Sequence, residues 1–403
     1  MKYPIKVLYI HHGSGAGGAA NSLLYLLTNL DPEKYEAVVA CNFESPKARE
    51  YFSKFGYDPI DLPLAPIAHT SKSWKLYTPR GLAKFIQWLV LKQPAARRAL
   101  RQVLIQVKPD LVHLNGVSLL PLAGTVKKLG VPVVQHIRES VNEGQFGIRR
   151  NWLSKQAAQK TAHVIYICED GRRRFRVATK NFSVIYDPVP FDKFTSGGQS
   201  DYRKTLAIPD GHPVIFFPGG SMLDIKGIIP FLLALTQVRS SHPNILTIIP
   251  GIDTKAHPRD QFRRHMEDII SENRLEEAIF RVPFSDNVEQ YYLASDIVVA
   301  PFVMPHFSRA VMEAGAMARP IVGSRIGGIE EVLEDGKVGL LVSPNDATDL
   351  ANKLCFLIEN RDKAEAMGQA GYQVAREKFD AVHHAQAVMQ VYDQALGMTE
   401  AAK

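Results

Sequence analysis

The chain reads as a doubly wound α/β protein made of two Rossmann-like halves, and three observations lead there. A short apolar run, Lys6 to His11, stops at a glycine-rich turn from Gly13 to Gly18 and is followed by helical spacing over Ala19 to Leu30, the strand, turn and helix that open such a sheet. Further apolar runs then alternate with helical patterns. Because these runs are near-continuous in apolar residues, they fit parallel strands covered on both faces. The whole pattern also restarts once, after a break near Asp187-Pro188-Val189-Pro190.

The remaining elements follow in order. Strand candidates in the first half are Glu36 to Asn42, Leu111 to Leu114, Val131 to His136, Val164 to Cys168 and Ser183 to Tyr186, with a helix around Leu119 to Leu129. Thr195 to Ser200 is loop-like, so residues 189–212 are expected to link two domains. Strands are then expected at Pro213 to Phe217, Ile245 to Ile249, Ile279 to Val282, Ile297 to Ala300, Pro320 to Gly323 and Gly339 to Val342, with a helix over Ile228 to Arg239. From Ala347 onward the helices are amphipathic, and Phe379 to Leu396 is expected to be a terminal helix that packs back on the first domain. The expected division is therefore 1–188, 189–212, 213–378 and 379–403.

Composition removes several classes. At 403 residues with 46% hydrophobic and 22% charged residues, disorder, collagen-like repeats and coiled coil are excluded. The three cysteines, Cys41, Cys168 and Cys355, are far apart with no C-x-x-C pair, so neither a disulfide framework nor a zinc ribbon is expected and a reducing compartment fits. No apolar run approaches the length of a membrane span, and no signal-peptide pattern is visible at the start. A cytoplasmic location follows, with peripheral contact at the inner face of the membrane left open.

Charge is distributed unevenly. The formal net charge is +7. No Asp or Glu occurs between Asp61 and Asp110, whereas Lys72, Lys75, Arg80, Lys84, Lys92, Arg97, Arg98, Arg101 and Lys108 do. Lys84, Trp88, Lys92, Arg97, Arg98 and Arg101 mix with Leu89 and Leu91 in the manner of an interfacial helix drawn to anionic headgroups. A solvated helical insertion with no lipid role reads equally well. Nucleic acid is the weaker partner, because no recognised nucleic-acid motif accompanies the charge.

Two places offer chemistry. The first glycine-rich turn lacks the spacing and acidic residue of a dinucleotide fingerprint, but it opens a helix whose N–H groups favour an anion. In the second half, Gly219-Gly220-Ser221 follows a strand, and Lys226 sits just before a helix, where a lysine is misplaced unless a phosphate answers it. Glu313 lies inside an apolar helix beginning near Ser308, a placement that costs energy unless a hydrogen-bonding ligand compensates.

Taken in order, GAGGAANSLLYLL, VVQHIRES, VIYDPVPFDKF, GGSMLDIKG, LASDIVVAP, HFSRAVMEAGAMARPIVGSRIGGIEEVLEDGKVGLLV and FDAVHHAQAVMQVYDQAL resemble glycosyltransferase family 4, over essentially the whole length. The resemblance implies the GT-B architecture, two Rossmann-like domains facing each other across a cleft. It implies a retaining, metal-independent transfer of a hexose-type sugar from a nucleoside-diphosphate sugar to a glycan or lipid-linked acceptor, in assembly of a cell-surface polysaccharide or glycolipid. The first domain would bind the acceptor. Donor contacts would come from Gly17, Gly18, Gly220, Ser221, Lys226, Phe307, Ser308, Arg309, Ala310 and Glu313, and the catalytic residues would be His136, Glu313 and Lys226, with Lys226 on the diphosphate, Glu313 on the ribose hydroxyls, and His136 near the reacting sugar. No cofactor or metal is implied.

Two departures from the family pattern stand out. The first glutamate of its E-x7-E pair is Pro305 here, and the arginine usual five positions before Lys226 is Ser221. Arg309 and Arg325 are candidates for the missing charge. The departures also motivate a different reading, a catalytically degenerate GT-B protein acting as a scaffold in a glycan-assembly complex. A GT-B epimerase of nucleotide sugars is a third.

Overall fold

A computed structural model describes residues 4–13, 17–42, 44, 46–67, 78–139, 141, 147–198, 200–219, 224–251, 261–305 and 307–398. The chain divides into two compact units, Met1–Pro188 with Ala381–Lys403, and Val189–Asp380. Each is a parallel sheet wrapped by helices.

The first unit contains β1 (Ile5–His11), β2 (Tyr35–Asn42), β3 (Ile60–Leu62), β4 (Leu111–Asn115), β5 (Val133–Ile137), β6 (His163–Tyr166) and β7 (Phe182–Val184), in the order β3-β2-β1-β4-β5-β6-β7. Alternation along β1 shows why both faces are apolar. Ile5, Val7 and Tyr9 join one buried cluster, and Leu8 and Ile10 join the other. Val7 is in register with Ala37 on one side and Leu111 on the other. The terminal helix, Ala381–Ala395, closes the first of these clusters with Ala385, Val388, Val391 and Tyr392. Its seat is also polar: Tyr35 donates to Asp393 at 2.6 Å, and Lys34 pairs with the same carboxylate at 2.7 Å. A fold reading of two Rossmann-like halves with a returning C-terminal helix is therefore correct.

The second unit contains β8 (Val214–Phe216), β9 (Leu246–Pro250), β10 (Ile279–Val282), β11 (Ile297–Ala300), β12 (Ile321–Ser324) and β13 (Leu340–Val342), in the order β10-β9-β8-β11-β12-β13. Ile215, Val299, Val322 and Val342 meet Phe231, Leu235 and Leu354 from the covering helices in one buried cluster.

Several expectations shift on contact with the structure. The helix expected over Leu119 to Leu129 is a 3-10 turn, Val117–Leu122, followed by a short α-helix, Ala123–Lys127, because Pro121 has no N–H to continue the ladder. Strand β3 was not anticipated; three residues are too few for a period to show. Residues 189–198 and 200–212 pack in the second unit, where Val189 donates to the Phe379 carbonyl at 2.8 Å and Phe194 meets Tyr292 edge-on. Within the acid-free stretch, Pro79–Gln87 and Gln93–Val107 are joined by a π-turn at Trp88–Lys92 into one helical rod.

Candidate functional site

In open α/β sheets a ligand binds beyond the carboxyl ends of the strands, where the strand order reverses. In the second unit that point lies between β8 and β11, which pair in register at Ile297 and Ile215. The loop after β8 carries Lys226, and the loop after β11 runs through Phe307 and Ser308 to the helix Arg309–Ala316. The two loops are tied together, since Val303 donates to the Ile225 carbonyl at 3.1 Å. Gly227 makes the approach possible: its φ is +77°, and a Cβ there would lie 1.8 Å from the Pro301 carbonyl oxygen. Only glycine tolerates both.

Lys226 ends a 3-10 turn, Asp224–Lys226, and its Nζ lies 4.4 Å from the centre of the Phe302 ring. Burial pushes its ammonium down to about 8, because a low-dielectric surround disfavours the charged form. An anion bound there reverses that penalty. Next to the lysine, Gly227 caps the helix Ile228–Ser241, whose first N–H groups carry the positive end of its dipole.

Glu313 is held from two sides. Tyr292 donates to its Oε2 at 3.0 Å, and Arg309, one turn earlier, pairs with its Oε1 at 3.1 Å. Burial and the neighbouring carboxylate hold the Tyr292 hydroxyl well above its usual range, so it stays a donor. The charge of Glu313 is thus compensated inside the unit, and the remaining lone pairs of its oxygens can accept further hydrogen bonds. Arg309 is engaged with this carboxylate, while Arg325 pairs with Asp335 at 2.5 Å. Phe307 and Ser308 are buried, and Ser308 caps the Arg309–Ala316 helix without a side-chain hydrogen bond. The Ala310 carbonyl accepts from Tyr292 at 3.4 Å. Gly220 and Ser221 lie outside the described residues.

The corresponding reversal in the first unit falls between β1 and β4. Gly17 caps the helix Gly18–Thr28 in an extended conformation, and a Cβ on it would meet nothing within 4 Å. Neither backbone nor packing demands glycine there, and both Gly17 and Gly18 are exposed. Residues 14–16 of the same turn lie outside the described residues.

Around this mouth the structure assembles residues that the sequence reading passed over. The Arg138 guanidinium donates to Asn115 and to Asp187, both buried. Asn115 also donates to the Ala19 carbonyl at 3.1 Å and lies 2.9 Å from His11 Nδ1. Glu139 accepts from the Val117 amide at 2.8 Å and stands 3.5 Å from His12. Gly116, at φ +129°, gives Glu139 room, since a Cβ would lie 2.6 Å from its Oε1. These residues come from separate strand ends: Arg138 and Glu139 stand in VVQHIRES and Asp187 in VIYDPVPFDKF, but neither segment alone shows that they meet.

His136 is the next-to-last residue of β5 and wholly buried. Its ring is 5.3 Å from that of His113 and stacks on His384 at 6.2 Å. Burial, with Arg138 and the two histidines nearby, holds it well below its usual range and hence neutral. The residues expected to face lipid or acceptor separate in the structure. Lys84, Lys92, Arg97, Arg98 and Arg101 are exposed, whereas Trp88 is buried, donating to the Ala65 carbonyl at 3.0 Å.

Among the described residues no group of three His, Cys, Asp or Glu side chains is arranged to hold a metal, and no helix is long and apolar enough to cross a membrane. A cavity of about 720 Å³ lies at the opposite, amino-terminal edge of the second sheet, where Pro213, Asp296 and Pro320 lead into strands.

Comparison with known proteins accords with this geometry. A family model described as glycosyl transferases group 1 matches residues 198–374, and one described as glycosyltransferase family 4 matches residues 16–193. D-inositol 3-phosphate glycosyltransferase of Corynebacterium jeikeium is 29% identical over 210 residues, 50% of this chain and 49% of the relative. That of Corynebacterium kroppenstedtii is 27% identical over 201 residues, 48% and 43%. The chain spans about half the length of these curated relatives. Among solved structures, Anabaena Alr3699/HepE in complex with UDP-glucose superposes with a TM-score of 0.78 at 21% identity, covering 96% of this chain and 99% of that one. Sucrose-phosphate synthase from Thermosynechococcus elongatus gives 0.72 at 18%, covering 98% and 100%. These two likenesses show the fold.

Proposed function

The chain belongs to the group 1, family 4 glycosyltransferases, and from that premise we propose that it transfers a hexose-type sugar from a nucleoside-diphosphate sugar to a hydroxyl of a glycan or lipid-linked acceptor, with retention of configuration and without a metal. The observation that carries this is the placing of Lys226 against Phe302, on the loop that leads from β11 to the Arg309–Ala316 helix, at the β8–β11 reversal. In the proposal the second unit binds the donor. Lys226 and the helix amides neutralise the diphosphate, the part a metal plays elsewhere. Glu313, oriented by Tyr292 and Arg309, accepts from the ribose hydroxyls, and Phe307, Ser308, Ala310 and, from the sequence, Gly220 and Ser221 are proposed as further donor contacts.

The first unit is proposed to bind the acceptor, and Gly17 and Gly18 to leave backbone room for a phosphate. His136 enters as a neutral positioning residue, packed under the mouth that Arg138 and Asp187 frame. The chemistry asked of the protein is alignment of sugar and acceptor, with stabilisation of the departing diphosphate as its charge develops. The cation-rich rod favours a lipid-linked acceptor and a cytoplasmic protein in peripheral contact with the inner face of the membrane, in polysaccharide or glycolipid assembly.

The test is calorimetric binding of UDP, GDP and ADP to wild type, Lys226→Ala and Glu313→Ala. Binding of one nucleotide, weakened by about 30-fold or more in Lys226→Ala, is the expected result. Pro305 and Ser221, in place of the family's glutamate and arginine, favour one other reading, the degenerate scaffold. Absence of binding at millimolar nucleotide would select it.

A further inference from the structure

We propose that the rod spanning Pro79–Val107 is a membrane-docking device, in which Leu82, Ile86, Leu89 and Val90 insert into an anionic lipid bilayer and the cations beside them bind its headgroups. This deepens the lipid-acceptor part of the proposed function by naming the surface that meets the lipid.

The ridge follows from helical spacing. Positions i, i+4, i+7 and i+8 share one face of a helix, and Leu82, Ile86, Leu89 and Val90 are 48, 50, 52 and 59% exposed. Leu91, at 62%, and Ile105, at 58%, are exposed on the same rod. Six of the fourteen large apolar side chains found exposed among the described residues fall on this one rod. Scattered exposed leucines need no explanation, but a contiguous apolar stripe on a soluble protein marks an interaction surface.

The other side of the rod is what holds the ridge out. Trp88 and Gln93 both donate to the Ala65 carbonyl, at 3.0 and 2.6 Å, Phe85 stacks on Trp88 at 5.9 Å, and Thr78 caps the start by accepting from Gly81. The aromatic residue that composition alone would select as the lipid anchor is thus a bracket, and the aliphatic residues around it do the inserting.

Charge chooses the occupant. Arg80, Lys84, Lys92, Arg97, Arg98 and Arg101 are exposed along the rod, and the chain has no acidic residue between Asp61 and Asp110 to answer them. A second copy of the chain would bring this cationic stretch against itself, and a nucleic acid would leave the ridge unused. An anionic bilayer satisfies both features: long cationic side chains reach headgroups while aliphatic ones enter the acyl boundary. Each cation near such a surface contributes about fivefold in partitioning.

The experiment is co-sedimentation of the full chain with vesicles of phosphatidylcholine alone, or of equal parts phosphatidylcholine and phosphatidylglycerol, at about 0.1 M salt. Wild type should sediment with the anionic vesicles and stay in solution with the neutral ones. The triple variant Ile86→Ser, Leu89→Ser, Val90→Ser should lose at least about tenfold in partitioning. So should Lys84→Glu, Lys92→Glu, Arg98→Glu, with unchanged melting temperature and nucleotide binding in both. The proposal is overturned if wild type ignores anionic vesicles, if it binds both vesicle types equally, or if either triple variant binds as wild type does. A lipid-free dimer abolished by the serine variant also overturns it, assigning the ridge to a second copy. Because nucleotide binding is read separately, failure of the docking surface and failure of the donor site are distinguishable.

Discussion

At the β1–β4 reversal of the first unit, the main buried charges are paired off: Arg138 bridges Asp187 and Asn115, with histidines packed beside it. At the β8–β11 reversal of the second unit the same topology leaves a lysine whose charge its surroundings disfavour, beside a helix N-terminus. The two mouths are built alike in backbone and opposite in electrostatics. One holds its charges in a buried pair; the other holds an ammonium that burial disfavours and that a bound anion would favour. Under the proposed function this separates a mouth that positions from a mouth that binds charge, without any change of fold.

The largest effect that tests the contrast comes from removing one charge at each mouth. Arg138→Met leaves Asp187 buried and uncompensated, and should lower the stability of the fold by about 3–5 kcal/mol in urea titration. The double variant Arg138→Met, Asp187→Leu should recover most of that loss, because replacing a whole buried pair by apolar groups is close to neutral. Lys226→Met should cost no more than about 1 kcal/mol without nucleotide, since it removes a charge that burial already penalises. Equal losses at the two mouths would break the comparison.

A smaller effect is read from pH. The Lys226 ammonium, at about 8, lies below its ordinary 10.5, so between these values the unfolded chain holds the proton more firmly than the folded one. Its contribution to stability therefore rises as pH rises from 8 to 10.5 and is flat below 8. Nucleotide affinity runs the other way. A bound diphosphate favours the ammonium, so the affinity should be level from pH 7 to about 8 and then fall by up to about tenfold per pH unit. Calorimetry over pH 7 to about 9.5 checks this, above the range where a terminal phosphate itself titrates. In Lys226→Met the slope should vanish.

How much of this was legible beforehand differs by residue for physical reasons. Buried parallel strands announce themselves as apolar runs, and Lys226 and Glu313 stood out as charges in the wrong local setting. The Arg138–Asp187 pair did not, because its partners meet only through the sheet. The ligand-answers-it reading of Glu313 missed Tyr292 for the same reason: that donor comes from a different helix, Glu289–Ala294. Trp88 shows a further limit. An amphipathic pattern tells that a helix has two faces, and only packing against Ala65 tells which one turns inward.

The smallest effect sharpens the role of Glu313. Glu313→Gln keeps an oxygen for Tyr292 but loses the pair with Arg309, both side chains being mostly buried. The expected loss of stability is about 0.5–1.5 kcal/mol, and the expected loss of affinity for the nucleoside diphosphate that binds about 1.5–3 kcal/mol, the range for a hydrogen bond to a charged group. A structural role alone would weaken that nucleotide and its 2′,3′-dideoxy analogue equally. A carboxylate that accepts from the ribose predicts otherwise: wild type should discriminate against the dideoxy analogue, and Glu313→Gln should bind the two nearly alike. If the variant keeps the full discrimination, the ribose is recognised elsewhere, and Glu313 serves only to hold Arg309 and Tyr292 in place.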